Sequence, residues 1–325
     1  MSLAATRRRE ASPGSGRKQG RGVHRGEGAR RSSGRADGSG VVRTYRYAFL
    51  VPAVAVFTVF FLLPAFFGMY LSLTDASTFV PDTRFIGLDN YRLMAGDSSV
   101  LWNATWNQFA YAACVTVGKT VLGVAIAFLL DRTFRGAKFL RVVVYLPIMF
   151  STIVVGLLFG YILKADGPLN VLLKPFGLAQ DWFGSFDLAL YSVTAVDTWM
   201  GVGWTVVLVL AALQAVPTEL IESAHLDGAG PWQVARHIKI PYIRHAINLA
   251  GLLTFITGMK AFDMIYATTG GGPGTATEVL TSYVYKQLNT GALGYAAAVN
   301  VFQFLMITAV ALVINRFVRR MEATA

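Results

Sequence analysis

Six apolar runs, each close to the ~20 residues a helix needs to cross a hydrocarbon core, constrain this chain more than anything else in it. They lie at about residues 48–70, 104–130, 139–163, 187–213, 243–269 and 293–317 of 325. In lipid, backbone N–H and C=O groups have to find partners within the segment, so such runs are helices and the fold class is all-α integral membrane. Pro52, Pro64 and Pro147 fall inside these runs, where neighbouring helices can re-satisfy the freed backbone groups. Composition agrees, with 14% of residues charged, against about 25% in ordinary soluble domains. The first run is too long, and starts too far into the chain, to be a cleaved signal peptide.

A net charge of +11 would point to nucleic acid in a soluble chain, but here it is distributed as membrane topology. With the N-terminus inside, the inside segments hold 22 Lys and Arg: 12 in residues 1–46, then Arg132, Arg135, Lys138, Arg141, Arg236, Lys239, Arg244, Arg316, Arg319 and Arg320. The outside loops hold five, Arg84, Arg92, Lys164, Lys174 and Lys286, while Lys119 and Lys260 lie within the runs. Cytoplasmic loops carry the excess of basic residues, so both termini are expected to be cytoplasmic. Residues 1–46 are rich in Arg, Gly and Ser and nearly empty of large apolar groups. They read as a disordered basic cytoplasmic tail beside the membrane, not as a nucleic-acid binder. Arg7-Arg8-Arg9 has no apolar core close behind it and is not read as a twin-arginine signal. Residues 47–325 are expected to form the transmembrane domain. A single cysteine, Cys114, excludes an internal disulfide and a cysteine-rich metal site.

The long polar island of the second half is residues 217–241, PTELIESAHLDGAGPWQVARHIKIP. Pro217 stands at a helix start, Glu219 and Glu222 load the first turns, and Leu220, Ile221 and Ala224 make an apolar stripe. Gly228 falls where a helix must stop and turn, since glycine enters the left-handed region freely. Pro231 can open a second short helix, 232–239, and Pro241 restricts the chain before the next run. The spacing predicts a helix-turn-helix across a membrane face, with an apolar side left for a partner.

Glu222-Ser223-Ala224, three residues, Gly228, nine residues, then Ile238-Lys239-Ile240-Pro241 resembles the E-A-A-x3-G-x9-I-x-L-P signature of binding-protein-dependent ABC importer permeases. Ser223 and Ile240 depart from the pattern without changing its spacing. Glu222, Ala224, Asp227, Gly228 and Ala229 also meet the local form E-x-A-x-x-D-G-A. Further residues are similar to the carbohydrate-uptake branch, that of the maltose and glycerol-3-phosphate permeases. These are Phe85-Ile86-Gly87-Leu88-Asp89-Asn90-Tyr91, Phe262-Asp263 with Ile265-Tyr266, Thr269-Gly270-Gly271-Gly272-Pro273-Gly274, and Gly294-Tyr295-Ala296.

The resemblance implies the type I importer permease fold in a bacterial or archaeal cell membrane, with no catalysis and no cofactor in this chain. ATP and Mg would sit on two nucleotide-binding ATPase subunits. A second permease subunit and an extracellular solute-binding protein would complete the assembly, for a sugar-like solute. The loop 214–242 would meet the ATPase, through Leu220, Ile221, Glu222, Ala224, Asp227, Gly228, Ala229, Ile238 and Pro241.

Other chemistry is thin. Gly118-Lys119-Thr120 ends a near match to a phosphate-binding loop, but Ala113 replaces its first glycine and no strand precedes it. His225, His237 and His245 are twelve and eight residues apart, which is poor spacing for a metal on one helical face. Lys119, Asp197 and Asp263 are costly in lipid and are candidates to line a pathway. The same three would serve a proton relay, so an ion- or proton-coupled secondary carrier is the alternative function. Such carriers show inverted repeats, and no convincing repeat is visible. A membrane-embedded enzyme has less support still, since no nucleophile-base motif is visible.

Overall fold

The structure is a computed structural model and describes residues 50–96, 99–132 and 134–323. The expected tail, 1–46, lies outside the described residues. Among those described the chain is helical, and an isolated antiparallel bridge, Thr74 to Phe85, is the only strand-like pairing.

Helices α1 (Val51–Phe57) and α2 (Leu63–Leu71) are joined by a π turn, Thr58–Leu62, into one rod. The turn sits where the ring of Pro64 would press on the carbonyl four residues earlier, and widening the helix relieves that clash. Next comes α3 (Asp89–Gly96), clasped to the end of α2 by the buried Asn90, whose amide donates to the carbonyls of Ser72 and Thr74 at 2.9 and 2.8 Å. The longest helices are α4 (Val100–Leu130) and α14 (Leu293–Ala323), each of 31 residues. Between them lie α5 (Ala137–Tyr145), α6 (Thr152–Ile162), α7 (Pro168–Leu173), α8 (Ala189–Gln214), α9 (Thr218–Leu226), α10 (Pro231–Val234), α11 (Ile240–Gly258), α12 (Asp263–Thr268) and α13 (Leu280–Asn289).

Among the described residues, four helices are long and apolar enough to cross a bilayer: Val51–Leu71, Val100–Leu130, Ala189–Gln214 and Leu293–Arg316. These fall on the first, second, fourth and sixth apolar runs. The third run is not a straight crossing. Ala137–Met149 and Thr152–Ile162 meet at 97°, because Pro147 tightens the helix into a 3-10 turn and Phe150 and Ser151 are extended.

The fifth run is broken. Helix α11 stops at Gly258 and α12 opens at Asp263. Two buried glutamines hold the break: Gln108 Nε2 donates to the Gly258 carbonyl at 3.0 Å and Gln303 Nε2 to that of Met259 at 3.1 Å. A helix end within a bundle leaves carbonyls without helical partners, and these amides supply two.

Helix α4 is the axis of the packing, since each apolar cluster contains it. Tyr111 and Val115 pack with Val193, Val196 and Met264. Ala127 and Leu130 pack with Val206, Val209, Leu213 and Ile243. Leu101 and Ala104 pack with Leu280, Tyr283 and Val299. Outward-facing apolar side chains are abundant elsewhere, as expected where the solvent is lipid or a partner helix.

Candidate functional site

The island 217–241 caps one end of the bundle. Helix α9 ends in a Schellman motif: the Gly228 N–H donates to the His225 carbonyl at 3.1 Å, and the Ala229 N–H to the Ala224 carbonyl at 2.9 Å. Gly228 makes this turn at φ +82°, a conformation that a side chain resists. Gln233 fixes the start of α10 by accepting the Gly230 N–H at 2.7 Å. The second short helix, expected over 232–239, does not end at Lys239. A π turn, Ala235–Lys239, carries α10 straight into α11, with Pro241 in the first turn of α11, where its missing N–H costs little.

The apolar stripe of the island is divided between two faces. Ile221 and Ile238 are half-buried and pack on the chain's own Leu213, Val216 and Ile243 cluster. Leu220, Leu226 and Trp232 face away, with exposures of 44%, 89% and 73%. Glu222, Asp227, Gly228 and Pro241 are exposed as well, and Ala224 and Ala229 are half-buried. Three exposed apolar groups on the two short helices of the island, with exposed Glu222 and Asp227 in the same stretch, are the makings of a protein-protein contact. The sequence singled out neither Leu226 nor Trp232 as contact residues. Their signal was present, since both are large apolar groups in an otherwise polar stretch.

Within the bundle, Lys119 on α4 and Asp197 on α8 form an ion pair, Nζ to Oδ2 3.0 Å, with side chains 12% and 18% exposed. Gly201, one turn beyond Asp197, leaves the room for it: a β-carbon there would lie 2.6 Å from Lys119 Cε and Nζ. Two groups that are each costly in lipid thus neutralise one another. Asp263 takes no part in this pair and is exposed at the start of α12. An open groove along α11 and α14 is lined by Leu252, Ile256 and Phe304, with Lys260, Thr308 and Asn315 as its polar members.

A second ion pair went unnoticed in the sequence. Lys239 Nζ reaches Asp131 Oδ2 at 2.5 Å, joining the island to the end of α4. Nothing in the local sequence connects residues so far apart.

At the opposite end of the bundle, the glycine-rich loop after α12 is fastened to α4. Asn103 and Asn107 amides donate to the Thr275 carbonyl at 2.8 and 3.0 Å, and Asn107 also reaches the Glu278 carbonyl at 3.0 Å. The buried Glu278 carboxylate accepts from Ser282 Oγ at 2.9 Å and from Lys286. His225 Nδ1 and His237 Nδ1 each lie 3.1 Å from a carbonyl of their own segment, and among the described residues no three metal-ligating groups converge.

Comparison with known proteins places this arrangement. The chain is 36% identical over 278 residues to the probable ABC transporter permease protein YurN of Bacillus subtilis, covering 83% of this chain and 94% of that one. It is 30% identical over 281 residues to the trehalose/maltose transport system permease protein MalF of Thermococcus litoralis, covering 84% and 94%. Its fold is similar to a chain of a bacterial alginate ABC transporter solved with an alginate pentasaccharide-bound periplasmic protein, at TM-score 0.73, 21% identity, and 85% and 94% coverage. Residues 119–323 match the binding-protein-dependent transport system inner membrane components, and the chain belongs to that family.

Proposed function

We propose that this chain is the transmembrane permease subunit of an ATP-driven importer, taking up a sugar or sugar-like solute delivered by an extracellular binding protein. The carrying observation is the island, which exposes Glu222 together with the apolar Leu220, Leu226 and Trp232. It is a ready surface for an ATPase subunit, and the ATPase pair and a second permease would complete the transporter. Counting the bent third run and the broken fifth as one crossing each gives six spans. The charge distribution supports a cytoplasmic side for both termini and the loop 214–242. Closure of the ATPase pair on nucleotide moves the island, and the bundle switches between inward- and outward-open arrangements.

The sugar class draws support from relatives named for trehalose and maltose transport and for multiple-sugar binding and transport. We assign Lys119 and Asp197 to the wall of the pathway, where they neutralise each other, and leave Asp263 to its outer end. The mutual neutralisation of Lys119 and Asp197 gives a proton-coupled carrier little to work with.

The test is twofold. Deleting the gene should abolish growth on one sugar, and the tagged chain should co-purify an ATPase that Glu222→Lys releases through a reversed charge. An intact ATPase complex in Glu222→Lys, with normal uptake, would make the island an ordinary loop.

A further inference from the structure

We propose that the Asp131–Lys239 ion pair is the tie through which the island moves α4, and that α4 and α8 travel together as one lever. This rests on reading the island as the ATPase-facing element.

Asp131 caps the C-terminal end of α4. That end of a helix carries partial negative charge, so a carboxylate there is unfavourable for the helix itself. Its placement makes sense through its partner. Lys239 closes the π turn at the seam between island and α11, and its Nζ lies 2.5 Å from Asp131 Oδ2, with the side chains 20% and 15% exposed. Arg141 holds the same helix end from α5, donating from Nη2 to the Leu130 carbonyl at 2.9 Å. The half-buried Ile221 and Ile238 add apolar contact alongside.

An island that shifts against the bundle therefore has two courses. It can break a mostly buried pair, which strands a carboxylate and an ammonium away from water. Otherwise it carries the end of α4 with it. Deeper in the bundle, Lys119 and Asp197 fasten α4 to α8 at 3.0 Å, so a displacement of α4 is handed to α8. Ion-pair networks and rigid helices can carry coupling between distant sites, and both of these pairs are made from α4.

The experiment uses the assembled transporter in nanodiscs with MgATP and the cognate binding protein as purified from the native host. It compares Asp131→Asn, Lys239→Gln and the exchange Asp131→Lys with Lys239→Asp. The readouts are permease abundance, co-purified ATPase, and the stimulation of ATP hydrolysis by the binding protein. With the tie neutralised, the ATPase should stay attached while stimulation falls by about 2- to 30-fold, the range over which mutations along a connecting network change coupling. The exchange should restore it.

Undiminished stimulation in both neutral variants overturns the tie. So does an exchange variant that remains unstimulated or fails to accumulate. If the single variants fail to accumulate and the exchange variant both accumulates and responds, the pair is confirmed as a unit. Failure of the wild-type chain to co-purify any ATPase would instead sink the reading of the island, whatever the variants do.

Discussion

Replacing Lys119 by methionine tests the intramembrane pair most sharply. Methionine keeps an unbranched stem in the space that Gly201 leaves open, but it strands Asp197. The two side chains are only 12% and 18% exposed, so solvent does little to rescue the carboxylate. Removing one partner of a buried pair costs about 3–5 kcal/mol. The melting temperature falls, by less per kcal/mol than the about 2–4 °C of a domain of 150–250 residues, because the unit that melts is larger. Asp197→Leu should do the same, whereas the double variant Lys119→Met with Asp197→Leu should return to within about 1 kcal/mol of the native chain, because an apolar pair avoids the desolvation that the ion pair incurs. The assay is thermal melting of the purified complex in nanodiscs, all four forms at one scan rate. A single variant as stable as the native chain, or a double variant as unstable as the singles, would show that the pair does not hold α4 to α8.

Gly228→Val forces a β-branched residue to φ +82°, a strain of roughly 1–2 kcal/mol. The chain should still insert, with co-purified ATPase and uptake both reduced; unchanged attachment would mean that the turn geometry is irrelevant to docking. Ile221→Asp and Leu220→Asp should separate the two faces of α9. The first sets a carboxylate against the chain's own core and should lower permease abundance, while the second should leave abundance intact and weaken ATPase attachment; the reverse pattern would exchange the faces. In a Cys114→Ser background, Arg92→Cys and Gln180→Cys should react with an impermeant thiol reagent in intact cells, and Leu226→Cys only after permeabilisation. Labelling of Leu226→Cys from outside would overturn the orientation.

The apolar runs were legible because a helix in lipid has to be apolar along its whole length, and four of them fall on helices long enough to cross. The bend and the break were not. A run such as 243–269 looks continuous because hydropathy reports the environment of side chains and is blind to where the backbone bonds. The break after Gly258 depends on Gln108 and Gln303, which come from other helices.

The turn at Gly228 was readable from residue type, since few residues other than glycine sit at φ +82°. The division of the island into inner and outer faces was not, because periodicity groups Leu220, Ile221 and Ala224 without saying which of them meets the bundle. Lys119 and Asp197 stood out singly as charges in apolar runs, but their union depends on how α4 lies against α8. The pairing of Lys239 with Asp131 went unseen for the same reason.

The central claim is that transport through this chain is driven by ATP on partner subunits and fed by an external binding protein. Reconstitution of both permeases and the ATPases into proteoliposomes, with the binding protein outside, ATP inside and a proton ionophore present, tests it directly. Using the sugar whose growth phenotype is lost on deletion, uptake should require both ATP and the binding protein and be indifferent to the ionophore. Uptake driven by an imposed proton gradient without ATP, and abolished by the ionophore, would contradict it.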